Sequence, residues 1–339
     1  MLSDVLFLSH VKAHALYHSA AVSASDTKTI EKADLRKEAY NIQQRYLQLT
    51  ITYEQQAAKV DILKSKLEDI REKYKQRIKT QHQTIDKWTD NPSELPFISE
   101  MEEIMINCSE EMIKFSGDLI SECVEALSKN DCVPPCDFSV LAFGSLAKGE
   151  ATPYSDLEYL FLIREKTTDT EQYFQHLAMT SYFLIGNLKE TTLDYMDIKE
   201  LYEWFVDCSK SGFKIDGLQE KAGNIPTGNG SVGTTNRFIV TPEELQSRYV
   251  DMLNNPDKQQ ALKGDLTAML RFTREIFSTG ASAANMHKDF QEFVRGCSLS
   301  EERVDVNTEM MINDTKKFNF NTDEKVHEQG FIVDVKKDL

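Results

Sequence analysis

The chain of 339 residues carries 39 Lys and Arg against 55 Asp and Glu, which gives a formal net charge of −16. Such acidity leaves no broad cationic surface, so a protein that coats DNA or RNA is excluded and a long nucleic acid is not expected as a partner. The length favours about two domains, and 40 % hydrophobic residues are enough to fill at least one core.

Cysteine content and hydropathy indicate the cellular compartment in which the protein is expected. Six cysteines are too sparse for a disulfide framework in a chain of this length, and reduced thiols are typical of cytosolic proteins. No run approaches the roughly 20 apolar residues that a membrane span requires. The N-terminus has Asp4 ahead of a short apolar patch and lacks the basic residues that begin a signal peptide. We therefore expect a cytoplasmic protein with no membrane partner.

Residues 1–90 are predicted to be a helical region with a long arm, residues 35–74. Apolar residues recur along the arm at alternating spacings of three and four, and only Gln56 breaks this seam. The pattern is typical of a coiled-coil helix, which would be about 60 Å long. Two arrangements remain open. The arm either forms a homodimer with a second copy, or it folds back on the following domain or, as an antiparallel hairpin, on the next helix.

Residues 97–240 are predicted to form the central domain, after a linker that contains Pro92 and Pro96. Two short apolar strands are expected at 137–143 and 160–163. A helix rich in aromatic residues is expected to follow, near 173–188. The domain begins with another helix, one side of which is apolar: Ile104, Cys108, Met112, Phe115, Leu119, Cys123 and Leu127.

The segment between the two strands begins with Gly144 and Ser145. A glycine lets the backbone approach a phosphate closely, and the residues after it are expected to open a helix whose N-terminal amides favour an anion. The Ser145 hydroxyl and the Lys148 ammonium can reach the terminal phosphates of a nucleotide. This turn is therefore a candidate triphosphate site.

The same segment ends with Asp156 and Glu158. Their spacing of two places both carboxylates on one face of a strand, while Leu157 turns to the core. Adjacent carboxylates repel each other, and divalent cations relieve that repulsion. The spacing therefore predicts a two-metal carboxylate site beside the phosphate turn.

Gly-Ser followed by Asp-x-Glu after ten intervening residues resembles the signature of the nucleotidyltransferase superfamily that shares the polymerase-beta palm. GSLAKGEATPYSDLEYLFLI is similar to the N-terminal domain of the uridylyltransferases that modify the PII nitrogen-signalling protein, and to related bacterial nucleotidyltransferases. Lys148 stands where Arg is usual, and Glu158 where Asp is commoner. Close similarity covers these 20 residues, and weaker similarity continues to about residue 280. The matching positions are Gly144, Lys148, Gly149, Glu150, Pro153, Ser155, Asp156 and Glu158.

The resemblance implies an α+β fold. A polymerase-beta-like palm, a small mixed sheet with helices, would be joined to the long N-terminal coiled-coil helix and a C-terminal helical domain. It also implies Mg²⁺ or Mn²⁺ as cofactor, with Asp156 and Glu158 as ligands. A third carboxylate would act as metal ligand and base. Asp216, the acid at the end of a short predicted strand within the segment SGFKIDGL, is favoured for this role over Asp194.

The remaining segments are expected to be mainly structural. Helices are predicted at 242–254, 257–278 and 283–296, and together they would make a helical domain over 241–297. The second of these helices would carry Arg271 and Arg274 on one face. Residues 298–339 are predicted to be an acidic, irregular tail with a terminal strand, and the glycine-bearing loop 222–231 is either a substrate lid or a surface loop.

The leading functional hypothesis is an enzyme that transfers a nucleoside monophosphate from an NTP to a hydroxyl and releases pyrophosphate. The acceptor is a protein, a small molecule or another nucleotide. The alternative is a catalytically weak nucleotide sensor or scaffold that acts through its coiled coil. The two hypotheses differ in one requirement, because a sensor needs the phosphate turn but not the third acid.

Overall fold

A computed structural model describes seven parts of the chain, together with six single residues near the N-terminus (10, 13, 14, 16, 17 and 20). The seven parts are 29–47, 53–85, 95–155, 157–188, 213, 239–254 and 271–297. Their helices are α1 (Thr29–Leu47), α2 (Tyr53–Ile85), α3 (Leu95–Ser128), α4 (Gly144–Lys148), α5 (Thr168–Asn187), α6 (Pro242–Asn254) and α7 (Ala283–Gly296). Their strands are β1 (Phe138–Ala142), β2 (Tyr159–Ile163), β3 (Ile239–Val240) and β4 (Arg274–Thr279).

The four strands form one mixed sheet in the order β3-β2-β1-β4. β1 is antiparallel to both β2 and β4, and β2 is parallel to β3. Ala142, the last residue of β1, pairs with Tyr159 of β2 on one side and with Arg274 of β4 on the other. The carboxyl end of β1 therefore lies between the amino ends of β2 and β4, and the candidate residues follow or precede the strands at this edge.

Both faces of the sheet are covered, which explains why β1 and β2 are apolar almost throughout. One face packs against α3 and α5, and Phe138 meets Phe174 there with ring centroids 4.8 Å apart. On the other face, Leu141 and Leu160 pack with Tyr249 of α6 and Phe290 of α7. The predicted strands and the aromatic helix near 173–188 are confirmed, and so is the apolar side of α3, whose seven predicted residues are all buried.

α2 lies antiparallel along α3. Lys66 pairs with Asp118 at 2.7 Å, and farther along α2 Arg77 lies 3.9 Å from Glu103, so rising numbers on one helix meet falling numbers on the other. The seam of α2 is buried in the core that it shares with α3: Val60, Leu63, Leu67 and Tyr74. The antiparallel hairpin is the arrangement observed for these residues. The homodimer stays a prediction and would have to use another surface.

The predicted helix at 257–278 is wrong at its end, because residues 274–279 are the strand β4. Arg271 and Arg274 therefore do not share a helical face. The segment is a strand because it hydrogen-bonds to β1, a partner more than 130 residues earlier that local periodicity does not reveal. The helices predicted at 242–254 and 283–296 are confirmed. Since β4 belongs to the central sheet and α7 packs on that sheet, this region is not made of helices alone.

Several predictions concern residues outside the described parts: the acids Asp156, Asp194 and Asp216, the loop 222–231 and the tail 298–339. The domain boundaries at 90, 97, 240 and 297 also stay predictions. Within the described residues, the helices are each too short or too polar to cross a membrane.

Candidate active site

The turn after β1 requires glycine. Gly144 begins α4 with φ of +66°, a left-handed backbone conformation that residues with a Cβ rarely adopt. A Cβ placed there would lie 1.4 Å from Oε2 of Glu158 and 2.7 Å from its Cδ. The carboxylate of Glu158 therefore occupies the space that any side chain at position 144 would fill, and the two predicted site residues are in direct proximity.

Strand pairing accounts for this proximity. The Phe143 amide donates to the Glu158 carbonyl at 3.1 Å, which extends the β1–β2 ladder by one residue beyond Ala142 and Tyr159. Leu157 is fully buried and Glu158 is partly exposed, so the predicted alternation is confirmed for these two residues. The Glu158 side chain reaches solvent at the edge of the sheet where β1 ends.

Ser145 and Lys148 belong to the same short helix as Gly144. Ser145 is partly exposed in the first turn, and its carbonyl accepts hydrogen bonds from the amides of Gly149 and Glu150, which close the helix. Lys148 is exposed in the last turn. The structure thus brings Gly144 and Ser145 together with Glu158, and places Lys148 one helical turn farther along the chain.

The 149–155 loop leads from α4 toward Asp156. Gly149 adopts φ of +81°, and a Cβ there would approach Cγ1 of Ile106 in α3 to 3.2 Å. The Ala151 amide donates to Oγ of Ser109, also in α3, at 2.9 Å. A turn follows in which the Thr152 amide donates to Oγ of Ser155 at 2.8 Å. The base of the loop is therefore fixed by α3, a role that the sequence did not suggest because these contacts join residues about 40 positions apart.

β4 brings unpredicted residues to the same edge of the sheet. Arg274 pairs with Ala142 and lies 3.7 Å from Glu110 of α3. The hydroxyl of Thr273 lies 3.0 Å from Nε2 of His287 in α7, and burial lowers the pKa of His287. An imidazole whose pKa is lowered below its usual value near 6.5 is neutral at pH 7. Periodicity missed these two contacts because it did not reveal that residues 274–279 form a strand.

Phe213 is the described residue nearest in sequence to the predicted third acid. It is fully buried and meets Phe115 of α3 edge to face, with ring centroids 5.4 Å apart. The chain is therefore anchored to the central core three residues before Asp216. The position of Asp216 itself lies outside the described residues.

The chemistry of Glu158 fits a hard divalent cation. Carboxylate oxygens are the ligands that Mg²⁺ prefers, and Mg²⁺ usually keeps several water ligands, which a partly exposed carboxylate allows. Across the parts of the chain that the structure describes, no cluster of three or more His, Cys, Asp or Glu side chains is arranged to hold a metal ion. A metal site that included Glu158 would therefore need Asp156 or another acid to complete it.

Comparison with known families bears on this segment. Residues 99–188 match the family model described as "Putative nucleotidyltransferase DUF294". The resemblance to the nucleotidyltransferase superfamily is confirmed for this segment, and the match supports the palm fold for the mixed sheet and nucleotidyl transfer as the general activity. No curated protein matches the chain at a significant level.

The matched segment covers 90 of the 339 residues. It contains most of α3 and all of β1, α4, β2 and α5, and therefore the Gly144 turn, Glu158 and the loop between them. β3, β4, α6 and α7 lie beyond it, although three of these elements contribute residues to the core on one face of the sheet. The segment that matches this family model thus carries the candidate phosphate turn and the carboxylate motif in one continuous stretch.

Proposed function

We propose that the protein is a Mg²⁺-dependent nucleotidyltransferase that moves a nucleoside monophosphate from an NTP to a hydroxyl and releases pyrophosphate. The observation that carries this proposal is the contact between Gly144 and the Glu158 carboxylate. It joins the phosphate turn and the carboxylate motif of a nucleotidyltransferase-type segment in one place.

The described residues have distinct roles in this proposal. The Gly144 backbone and the Ser145 hydroxyl bind the triphosphate at the start of α4, and the missing Cβ of Gly144 leaves room for the Glu158 carboxylate beside them. Lys148 supplies a flexible positive charge toward the terminal phosphates, as a point charge and not as the bidentate fork of an arginine. Glu158 and Asp156 hold the metal ions.

When bound, Mg²⁺ would neutralise charge on the carboxylates and on the phosphate oxygens. Asp216 removes the proton of the acceptor hydroxyl, and the packing of Phe213 on Phe115 supports its choice over Asp194. The acceptor oxygen bonds to the α-phosphorus, the bond from the α-phosphorus to the bridging α–β oxygen breaks, and the electron pair leaves with pyrophosphate. The proton carried by Asp216 is then released to solvent.

The acceptor is proposed to be a protein or a small molecule. A net charge of −16 disfavours a long polynucleotide, because binding one depends mainly on Lys and Arg contacts to phosphates. The acidity does not oppose binding of a single NTP, since the metal ions neutralise the charge of the triphosphate and of the carboxylates together.

The test is transfer from α-labelled NTPs, supplied with Mg²⁺ to the purified protein alone and with the protein and small-molecule fractions of a cell extract. We expect labelled product and pyrophosphate with at least one NTP. Glu158→Gln and Asp156→Asn should each abolish both. Glu165→Gln is the matched control, because Glu165 is an exposed acid just beyond the opposite end of β2 and should leave transfer unchanged.

Metal-dependent NTP binding without turnover under every condition would contradict the enzyme and favour the nucleotide sensor. The absence of both binding and turnover would reject the phosphate turn as well. Binding is measured by thermal shift with each NTP, with and without Mg²⁺, so that it is recorded independently of any acceptor.

A further inference from the structure

A side chain of α2 contacts the loop that leads to the candidate metal ligands. The guanidinium carbon of Arg71 lies 4.5 Å from the centroid of the Tyr154 ring. This distance is within the range of a cation–π interaction, in which the ring face attracts the positive charge. Both side chains are partly buried, so water does not fully screen the contact.

The contact fixes the tip of a loop whose base is already held. α3 holds the base through the bond from the Ala151 amide to Ser109. Bonds between Thr152 and Ser155 shape the turn but tie it to nothing outside itself. Tyr154 then precedes Asp156 by two residues and Glu158 by four, so the segment that this contact holds leads straight into the carboxylate motif.

Arg71 extends from a rigid part of α2. Leu67 and Tyr74, one turn to each side, are buried in the core shared with α3. The ion pair between Lys66 and Asp118 ties the same stretch to α3 at 2.7 Å. Because α2 cannot shift here without breaking these contacts, Arg71 contacts Tyr154 from a helix whose position is fixed by its packing on α3.

We propose that Arg71 is a positioning residue for the metal site: through Tyr154 it holds the 149–155 loop in the conformation that the carboxylate motif of Asp156 and Glu158 needs in order to bind a cation. The proposal rests on the proposed function, since it assumes that these carboxylates bind a divalent metal. It gives α2 an effect on the metal site through the 149–155 loop.

Loss of the contact should weaken metal binding without unfolding the protein. Arg71→Ala is expected to weaken Mn²⁺ binding about fivefold, the size expected for one partly desolvated cation–π contact. Tyr154→Leu, which removes the ring from the other partner, should have a similar effect. Arg71→Lys keeps a cation over the ring and should restore most of the affinity. Lys64→Ala is the matched control, because Lys64 pairs with Glu68 on α2 itself and does not hold the loop.

The experiment combines Mn²⁺ titration, followed by electron paramagnetic resonance, with amide hydrogen exchange on the full chain. Arg71→Ala and Tyr154→Leu should speed exchange in peptides covering 149–158 and leave peptides from α2 and α3 unchanged. Faster exchange along α2 itself in Arg71→Ala would mean that Arg71 acts only in helix packing, which would overturn the proposal. If Arg71→Ala does not fold, the Mn²⁺ affinity and hydrogen exchange of Tyr154→Leu alone test the proposal.

Two failures are distinguishable. If the unaltered protein binds Mn²⁺ and Glu158→Gln abolishes that binding, while Arg71→Ala and Tyr154→Leu bind Mn²⁺ normally, the role of Arg71 is refuted and the metal site stands. If the unaltered protein shows no Mn²⁺ binding that depends on Glu158, the metal site and the role of Arg71 are both rejected.

Discussion

Replacing Gly144 by alanine adds one methyl group at the point where the turn after β1 meets Glu158. The new Cβ would lie 1.4 Å from Oε2 of Glu158, whereas ordinary contact begins near 3.4 Å, so the carboxylate must move by about 2 Å. The atom that must move is the end of a flexible, partly exposed side chain, so the displacement itself costs little folding free energy.

The two consequences of Gly144→Ala differ in size. A Cβ at a φ of +66° costs roughly 1 kcal/mol of folding free energy, which lowers the melting temperature by a few degrees, about 2–4 °C. The shift of the carboxylate acts on the chemistry, where a misplacement of about 1 Å can reduce the rate roughly 100-fold. We therefore expect a folded protein with at least a 100-fold loss of nucleotidyl transfer.

Gly280→Ala is the matched control for this experiment. Gly280 has a φ of +90°, and a Cβ there would lie 1.9 Å from Oδ1 of Asp137, so the backbone strain and the displaced carboxylate are similar. Gly280 follows β4 at the end of the sheet opposite the candidate site. It should lose at least as much stability as Gly144→Ala and keep the transfer activity.

The assay pairs thermal unfolding with the rate of pyrophosphate release for both variants. Near-normal release by Gly144→Ala would show that transfer does not need the Glu158 carboxylate in its present position, because a carboxylate displaced by this distance cannot still bind the metal productively. An equal loss of activity in Gly280→Ala would refute the reasoning, since the effect would then follow from strain anywhere in the sheet.

Two further predictions concern stability. In Gly117→Ala, the new Cβ would lie 2.6 Å from the carbonyl oxygen of Ile276. Because this backbone atom cannot rotate away, α3 and β4 must separate. Denaturant unfolding should show that the free energy of unfolding falls by about 1–3 kcal/mol. Hydrogen bonds from the Ser282 hydroxyl and amide lower the pKa of Asp137. The resulting stability is present above the unfolded pKa near 3.9 and is lost as the pH falls through the folded pKa. Melting temperatures measured from pH 6 to pH 2.5 should therefore fall less steeply for Asp137→Asn, and identical slopes would contradict this.

The elements that the sequence predicted are those with strong local signals. β1 and β2 are short apolar runs beside turn residues, and both lie in the middle of a sheet covered on two faces. α6 begins with a Thr241–Pro242 capping pattern, in which the Glu244 amide donates to Oγ1 of Thr241 at 3.3 Å. Both patterns lie within a few consecutive residues, so they can be recognised in a single sequence.

Contacts between elements that are far apart in the chain could not be predicted from the sequence. β4 looked like the end of a helix because its partner β1 lies far away in the chain. The seam of the arm predicted a buried stripe but left its partner open. For the α2 part of the arm, the partner is α3, which shares its core and pairs Asp118 with Lys66. At the site, Gly144, Ser145 and Glu158 were predicted from one motif, whereas Ser109 and Arg71 act across sequence distances that no motif spans.

A crystal structure with a non-hydrolysable NTP and Mg²⁺ would show whether the Gly144 turn and the Glu158 carboxylate form one metal–triphosphate site. We expect the triphosphate against the backbone of Gly144 and Ser145, and a Glu158 carboxylate oxygen about 2.0–2.1 Å from a Mg²⁺ ion that also contacts the phosphates. A triphosphate bound elsewhere, or a Mg²⁺–triphosphate complex that Glu158 does not coordinate, would contradict the account.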